Sequence, residues 1–247
     1  MPISVNHMGH LIAALLLCVW APLSAQSDLR GAYANLRDTM YNSEPIPVLE
    51  RLYSHAIDCL GRAGLPPPER DSWSSRIEYM AGRGYQAARR KPEAVIHYEA
   101  GLACIDRILS GEEDSESWRM RSELLGHLCL LKDLVFLLKN GRKVVGYAEK
   151  ALELNPQNAK AQIIIASSKV YPPSVFGGNP QIGLELMRKA LAIGTSERDD
   201  LFNIYSGIGL AYSKLRSKEQ AKRWLEKALE LYPGNSFVRA EYGKLGE

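Results

Sequence analysis

FNIYSGIGLAYSKLRSKEQAKRWLEKALELYPGN, residues Phe202 to Asn235, is the stretch whose spacing decides the fold. Ile208, Gly209 and Tyr212 stand in a first helical segment. Ala221, Leu225 and Ala228 stand in a second, and Pro233 closes the unit. Counted from Tyr212, the steps are nine, four, three and five residues. Steps of three and four keep side chains on one helical face. Small residues at Gly209, Ala221 and Ala228 let two helix backbones approach, while Tyr212 and Leu225 fill the space between them. A single helix pair of this kind cannot bury its apolar face alone, so the pattern calls for stacked copies.

The same ruler fits elsewhere. Tyr85, Ala94, Tyr98 and Gly101 repeat nine, four, three. Val135, Val144, Ala148, Ala151 and Pro156 repeat nine, four, three, five. Gly183, Met187 and Ala190 keep four and three, and Met40, Leu49, Tyr53 and Ala56 give a degenerate version near the start. Phe202–Asn235 closely resembles the 34-residue consensus of the tetratricopeptide repeat (TPR). The resemblance implies an all-α fold: a right-handed α-solenoid of about five antiparallel helix pairs with a C-terminal capping helix. The pairs fall at about 30–63, 75–108, 115–158, 159–197 and 202–235, and Ser236–Glu247 caps the last face. Residues 26–70 form a degenerate first pair and a linker stiffened by Pro66-Pro67-Pro68, and 71–247 the repeat domain. About ten extra residues after Trp118 predict a long first helix in the third pair. Five more fall in the loop Tyr171–Pro180, between the helices of the fourth.

The N-terminus reads as an export signal. Residues 1–25 carry no Lys, Arg, Asp or Glu, and Leu11–Trp20 is a continuous apolar run, about half the length that spans a bilayer. Ala-Pro-Leu-Ser-Ala follows, so cleavage is expected after Ala25, leaving an exported, periplasmic chain that begins at Gln26. Lipidation at Cys18 is the alternative, with Leu17 where a small residue is usual. The net charge of +3 is too small to argue for nucleic acid, which selects a dense basic patch.

Catalytic motifs are missing. Gly82-Arg-Gly84-x-x-Ala87 imitates a dinucleotide fingerprint but lacks the preceding strand that motif needs. His55, His97 and His127 are single and far apart, which argues against a metal. Cys59, Cys104 and Cys129 read as buried free thiols. The expectation is a non-enzymatic protein without a cofactor. In the repeat frame Arg76, Tyr79 and Arg83 share one face of a first helix, the inner face, as do Asn203, Ser206 and Leu210 in the last unit. TPR domains commonly bind ligands there. Two guanidinium groups beside an aromatic ring suit a carboxylate-bearing ligand or a peptide end. The loop Tyr171–Pro180 carries an exposed-type aromatic, Phe176, then Gly177-Gly178 and Asn179-Pro180, with Asn179 as the helix cap. It resembles a loop in exported bacterial TPR proteins, including the TPR component associated with tripartite ATP-independent periplasmic (TRAP) transporters. Two functions remain open: a scaffold docking a partner protein or peptide in its concave groove, or an accessory transporter component binding a small organic acid or a substrate-binding protein. The loop either binds or packs back on its own array.

Overall fold

In the computed structural model, residues 25–246 are described. The expected cleavage site and Cys18 border on or lie within the segment before them, so the signal and the lipid alternative fall outside the described residues. Every regular element among the described residues is helical. Helix α1 covers 25–41. It is followed by α2 (Ile46–Arg62), α3 (Pro67–Ala87), α4 (Lys91–Leu109), α5 (Ser115–Leu131), α6 (Leu134–Leu154), α7 (Ala159–Val170), α8 (Pro180–Ile193), α9 (Arg198–Lys214), α10 (Lys218–Leu231) and α11 (Ser236–Gly243). Short polar side chains start five of them. Asp114, Asp133, Asn158, Asn179 and Asn235 each accept a hydrogen bond from a backbone N–H in the first turn that follows. Prolines start others, since a first-turn proline gives up no helical hydrogen bond. Pro67 and Pro68 open α3 in this way, so the Pro-rich stretch is the start of a helix and not a linker.

The helices pack as an α-solenoid. α3 lies on α4, α5 on α6, α7 on α8 and α9 on α10, and each pair meets the next. The first helices also touch in sequence, α3 to α5, α5 to α7 and α7 to α9, and so make an inner layer. Ten repeat positions of the second helices are completely buried: Ala56, Ala94, Tyr98, Ala148, Ala151, Met187, Ala190, Ala221, Leu225 and Ala228. Gly209 shows why size matters there. A Cβ on it would meet Leu225 Cδ2 at 2.7 Å and the Leu225 backbone nitrogen at 3.2 Å.

Two further features depart from the sequence expectation. The extra residues of the third pair are not in its first helix. α5 and α9 each have 17 residues. The surplus sits in the second helix. α10 starts three residues before Ala221, and the matching start in α6, three before Val144, is Gly141; α6 instead starts at Leu134, seven residues or two turns earlier. The chain there, LVFLLKN, has no breaker, and Asp133 caps it, so the helix simply extends.

The second departure is that the array closes on itself. α1 and the turn after it meet the last pair and α11. Tyr41 stacks on Tyr232 with ring centroids 4.8 Å apart and meets Phe202 edge-on at 5.2 Å. Gly234 N–H donates to Asn42 Oδ1 at 3.0 Å, and the Asn235 side-chain amide donates to the Tyr41 carbonyl at 2.7 Å. Leu29, Ala32, Leu36 and Met40 are buried along α1. Repeat spacing reports contacts between neighbouring units, and a contact between the first and last units leaves no mark on it.

Candidate functional site

Closure turns the concave face into a cavity of about 450 Å³. α1 supplies Arg30, Tyr33, Arg37 and Tyr41; α3 supplies Trp73, Arg76 and Tyr79; α5 supplies Glu116, Arg119 and Glu123. Lys160 of α7 and Asp199, Asp200 and Asn203 of α9 complete the wall. The sequence explains the convergence. Arg76, Tyr79 and Arg83 of α3 and Glu116, Arg119 and Glu123 of α5 have the same steps of three and four, one unit apart, with arginine replaced by glutamate at the outer positions. The outer positions of these two inner helices therefore carry opposite charge, and one couple, Arg76 with Glu116, pairs across them.

These charges are largely paired. Arg119, buried, lies between Glu116 and Glu123 and bonds both. Arg76 Nη2 is 3.3 Å from Glu116 Oε1, and Arg37 Nη1 is 3.3 Å from Asp199 Oδ1. Lys160 Nζ sits 3.5 Å from Asp200 Oδ1. Asp200 also accepts from Thr195 Oγ1 at 3.0 Å. Burial pushes the Asp200 carboxyl up to about 6, against the pull of Lys160 and with the repulsion of Asp199. Arg119 stays charged because its two carboxylates outweigh the cost of burying it. Glu116 is held below its usual range: burial raises it, but the Arg119 guanidinium, followed by Arg76, lowers it further.

The three inner residues picked from the sequence divide between two places. Arg76, partly exposed, and Tyr79 line the cavity. Tyr79 is buried and its hydroxyl donates to Glu123 Oε1 at 2.6 Å. Arg83 lies behind them. Its guanidinium donates to the Tyr41 hydroxyl at 2.9 Å and stands 4.8 Å over the Tyr41 ring. It braces α1 against α3, so it is a half-buried structural cation where the sequence suggested a solvent-facing one. Of the last unit's trio, Asn203 lines the cavity and donates to the Tyr41 hydroxyl at 2.9 Å, while Ser206 and Leu210 are buried. Beneath Tyr79, His127 stacks on Tyr98 at 4.9 Å, and burial pushes its imidazole down to about 3, so it is neutral. His97 bonds Glu78 at 2.6 Å. These histidines belong to aromatic clusters, and no group of His, Cys, Asp and Glu among the described residues has metal-holding geometry. The three cysteines 59, 104 and 129 are buried free thiols.

The loop residues lie apart from the cavity. Ser174–Phe176 forms one 3₁₀ turn that ends on Gly177 at φ 85°, a left-handed conformation that favours glycine. Val175 and Phe176 are exposed and Asn179 caps α8, its Oδ1 accepting from Ile182 N at 3.2 Å. Lys214 holds the base of the loop by donating to the carbonyls of Val170 and Tyr171 at 2.6 and 2.8 Å. Gly82 and Gly84 are inside α3, so the apparent dinucleotide motif is helical.

Sequence reasoning missed Glu116, Arg119, Glu123, Lys160, Asp199 and Asp200. For the α5 trio the repeated three-and-four spacing was an available signal. For the α1 wall there was none.

Residues 202–235 match the family model of the tetratricopeptide repeat. Among solved structures the chain is similar to TTC0263, a thermophilic TPR protein of Thermus thermophilus. Identity is 18%, with 90% of this chain and 98% of that one covered, at a TM-score of 0.52. It is also matched to YrrB, a TPR protein with an unusual peptide-binding site, at 20% identity over 81% of this chain and 85% of that one, with a TM-score of 0.37. No curated protein matches it.

Proposed function

We propose that this α-helical repeat protein, with its tetratricopeptide repeat at 202–235, is a non-catalytic exported scaffold that binds a partner protein or peptide through the concave cavity. The observation that carries this reading is the cavity wall itself. Four inner helices and α1 bring charges of both signs around one space of about 450 Å³. TPR domains bind protein and peptide partners, and this wall suits a chain end that carries both a charge and hydrogen-bonding backbone. Because α1 closes one side, the partner enters by a short terminus and not as a long strand threaded through an open groove.

The size of the space favours a second reading as well. About 450 Å³ is within the range of small-molecule sites. An accessory component of a TRAP-type transporter that holds a small organic acid would fit it, with Arg76 as a partly exposed cation on the wall.

The test is affinity capture from a native periplasmic extract with residues 26–247, repeated with Arg76→Ala and with Phe176→Ala. Loss of a charge-assisted hydrogen bond costs about 1.5–3 kcal/mol, or more than tenfold in affinity. A partner lost by Arg76→Ala and kept by Phe176→Ala supports the cavity. The reverse pattern moves the site to the loop. Thermal shift with small dicarboxylic acids separates the second reading from the first.

A further inference from the structure

The two-turn extension of α6 carries the largest group of exposed apolar side chains in the described array. Leu134, Val135 and Leu138 are 66%, 75% and 75% exposed, and Leu130, at the end of α5, is 73% exposed. A groove would shade such side chains. At these exposures they form a ridge, because α6 runs two turns beyond the frame in which second helices find neighbours. Exposed apolar ridges on soluble chains mark contact surfaces.

The charges beside the ridge say what it contacts. Lys139 and Arg142 stand one turn after Val135 and Leu138, on the same face, and both are exposed. Among the described residues neither pairs with a carboxylate, and Lys143, one residue on, bonds only the Asn140 side chain at 3.2 Å. This contrasts with the cavity, where the cations are mostly matched with acids. Between residues 134 and 148 the charged residues are Lys139, Arg142 and Lys143, with no Asp or Glu. A two-fold contact of the ridge with its counterpart in a second copy would set these cations against themselves. Apolar side chains that can enter the acyl boundary, with unpaired Lys and Arg one turn on that can reach acidic headgroups, suit the surface of an anionic bilayer. No described helix is long and apolar enough to cross a membrane.

We infer that the N-terminal half of α6 docks the array on an anionic lipid bilayer, with Leu134, Val135 and Leu138 entering the acyl boundary and Lys139, Arg142 and Lys143 meeting acidic headgroups. The surface is remote from the cavity and does not depend on what the cavity binds.

The experiment is co-sedimentation with vesicles. The chain is used from Ala25 onward, which keeps every described helix and removes the apolar Leu11–Trp20 segment as a competing source of binding. Vesicles of phosphatidylcholine with roughly 30% phosphatidylglycerol, an acidic surface of the kind that attracts basic–apolar helices, are compared with phosphatidylcholine alone. The expected result is binding to the acidic vesicles that falls at least tenfold in Leu134→Gln/Leu138→Gln and in Lys139→Glu/Arg142→Glu, with unchanged circular dichroism. Absence of binding by the wild type overturns the inference, and so does equal binding by the variants. Self-association in sedimentation velocity that the same apolar variants abolish would also overturn it, by giving the ridge to a second copy.

Discussion

The last pair, α9–α10, and the third pair, α5–α6, obey one repeat rule and end differently. In the last pair the ruler is sealed at its close-packed positions: Gly209 touches Leu225, and Ala221, Leu225 and Ala228 are fully buried. In the third pair Ala148 and Ala151 are equally sealed, yet earlier in the same helix Leu134, Val135 and Leu138 stand in solvent. The side chains are of the same kind. The difference is whether a neighbouring helix reaches them. In a solenoid each unit is covered only by its neighbours, so apolar character means core within the frame and contact surface outside it.

Leu225→Ala attacks the buried side most directly. Removing a fully buried leucine typically costs about 2–5 kcal/mol. The loss should appear in the urea midpoint and in amide exchange of α9 and α10, while α3 and α4 keep their protection longer. Uniform loss across all helices would mean that closure by α1 has made the array one cooperative unit.

Asp200, buried on α9 in the cavity wall, tests the polar side of the same pair. Its carboxyl titrates near 6 in the fold, above its ordinary range. Well below about pH 4 the group is protonated in both states and costs nothing. As pH rises from about 4 to about 6 the unfolded chain ionises first, and the fold loses up to about 3 kcal/mol. His127 acts in the opposite direction: neutral in the fold, with its imidazole near 3, it weakens the fold as pH falls below about 6.5. The readout is therefore the difference between Asp200→Asn and the wild type, in which the His127 contribution cancels. The variant should gain stability relative to the wild type as pH rises from about 4 to about 6. Parallel profiles would show that Lys160 fully compensates the carboxylate.

Arg83 and Arg76 separate a bracing cation from an accessible one. Arg83→Ala removes the donor to Tyr41 and the stacking over its ring, and should cost about 1–3 kcal/mol. Arg76→Ala leaves Glu116 still bonded to Arg119, so it should cost about 0–1 kcal/mol. Equal losses would place Arg76 in the same brace.

Much of this is legible in the sequence. The four-and-three part of the ruler locates the second helices of all five pairs, because its small residues are buried: Ala56, Ala94, Ala148, Ala151, Ala190, Ala221 and Ala228 have no exposed surface. Arg76 and Tyr79 are legible as an inner face for the same reason. Arg83 reads as exposed because its partner, Tyr41, is 42 residues away on a helix whose docking against the far end leaves no periodic trace. The surplus in the third pair is countable from the sequence, yet the count does not say which helix holds it. Propensity does not distinguish a helix that begins at Leu134 from one that begins at Gly141, and the cap at Asp133 decides it.

The smallest effect is expected where the apolar residues are most conspicuous. Leu134→Ser/Leu138→Ser removes two large side chains, 66% and 75% exposed, from the extension. Neither fills a space between helices, so no cavity is left behind. Each serine lowers helix propensity by only a few tenths of a kcal/mol, and surface substitutions of this type usually stay within about 0.5 kcal/mol. The double variant should therefore melt within a few degrees of the wild type, against a shift several times larger for Leu225→Ala. Chemical denaturation of the two variants side by side makes the comparison. A loss above about 2 kcal/mol in the serine variant, well outside the surface range, would mean that the ridge is packed in solution. The contrast between the two pairs would then reduce to a difference in which neighbour does the packing.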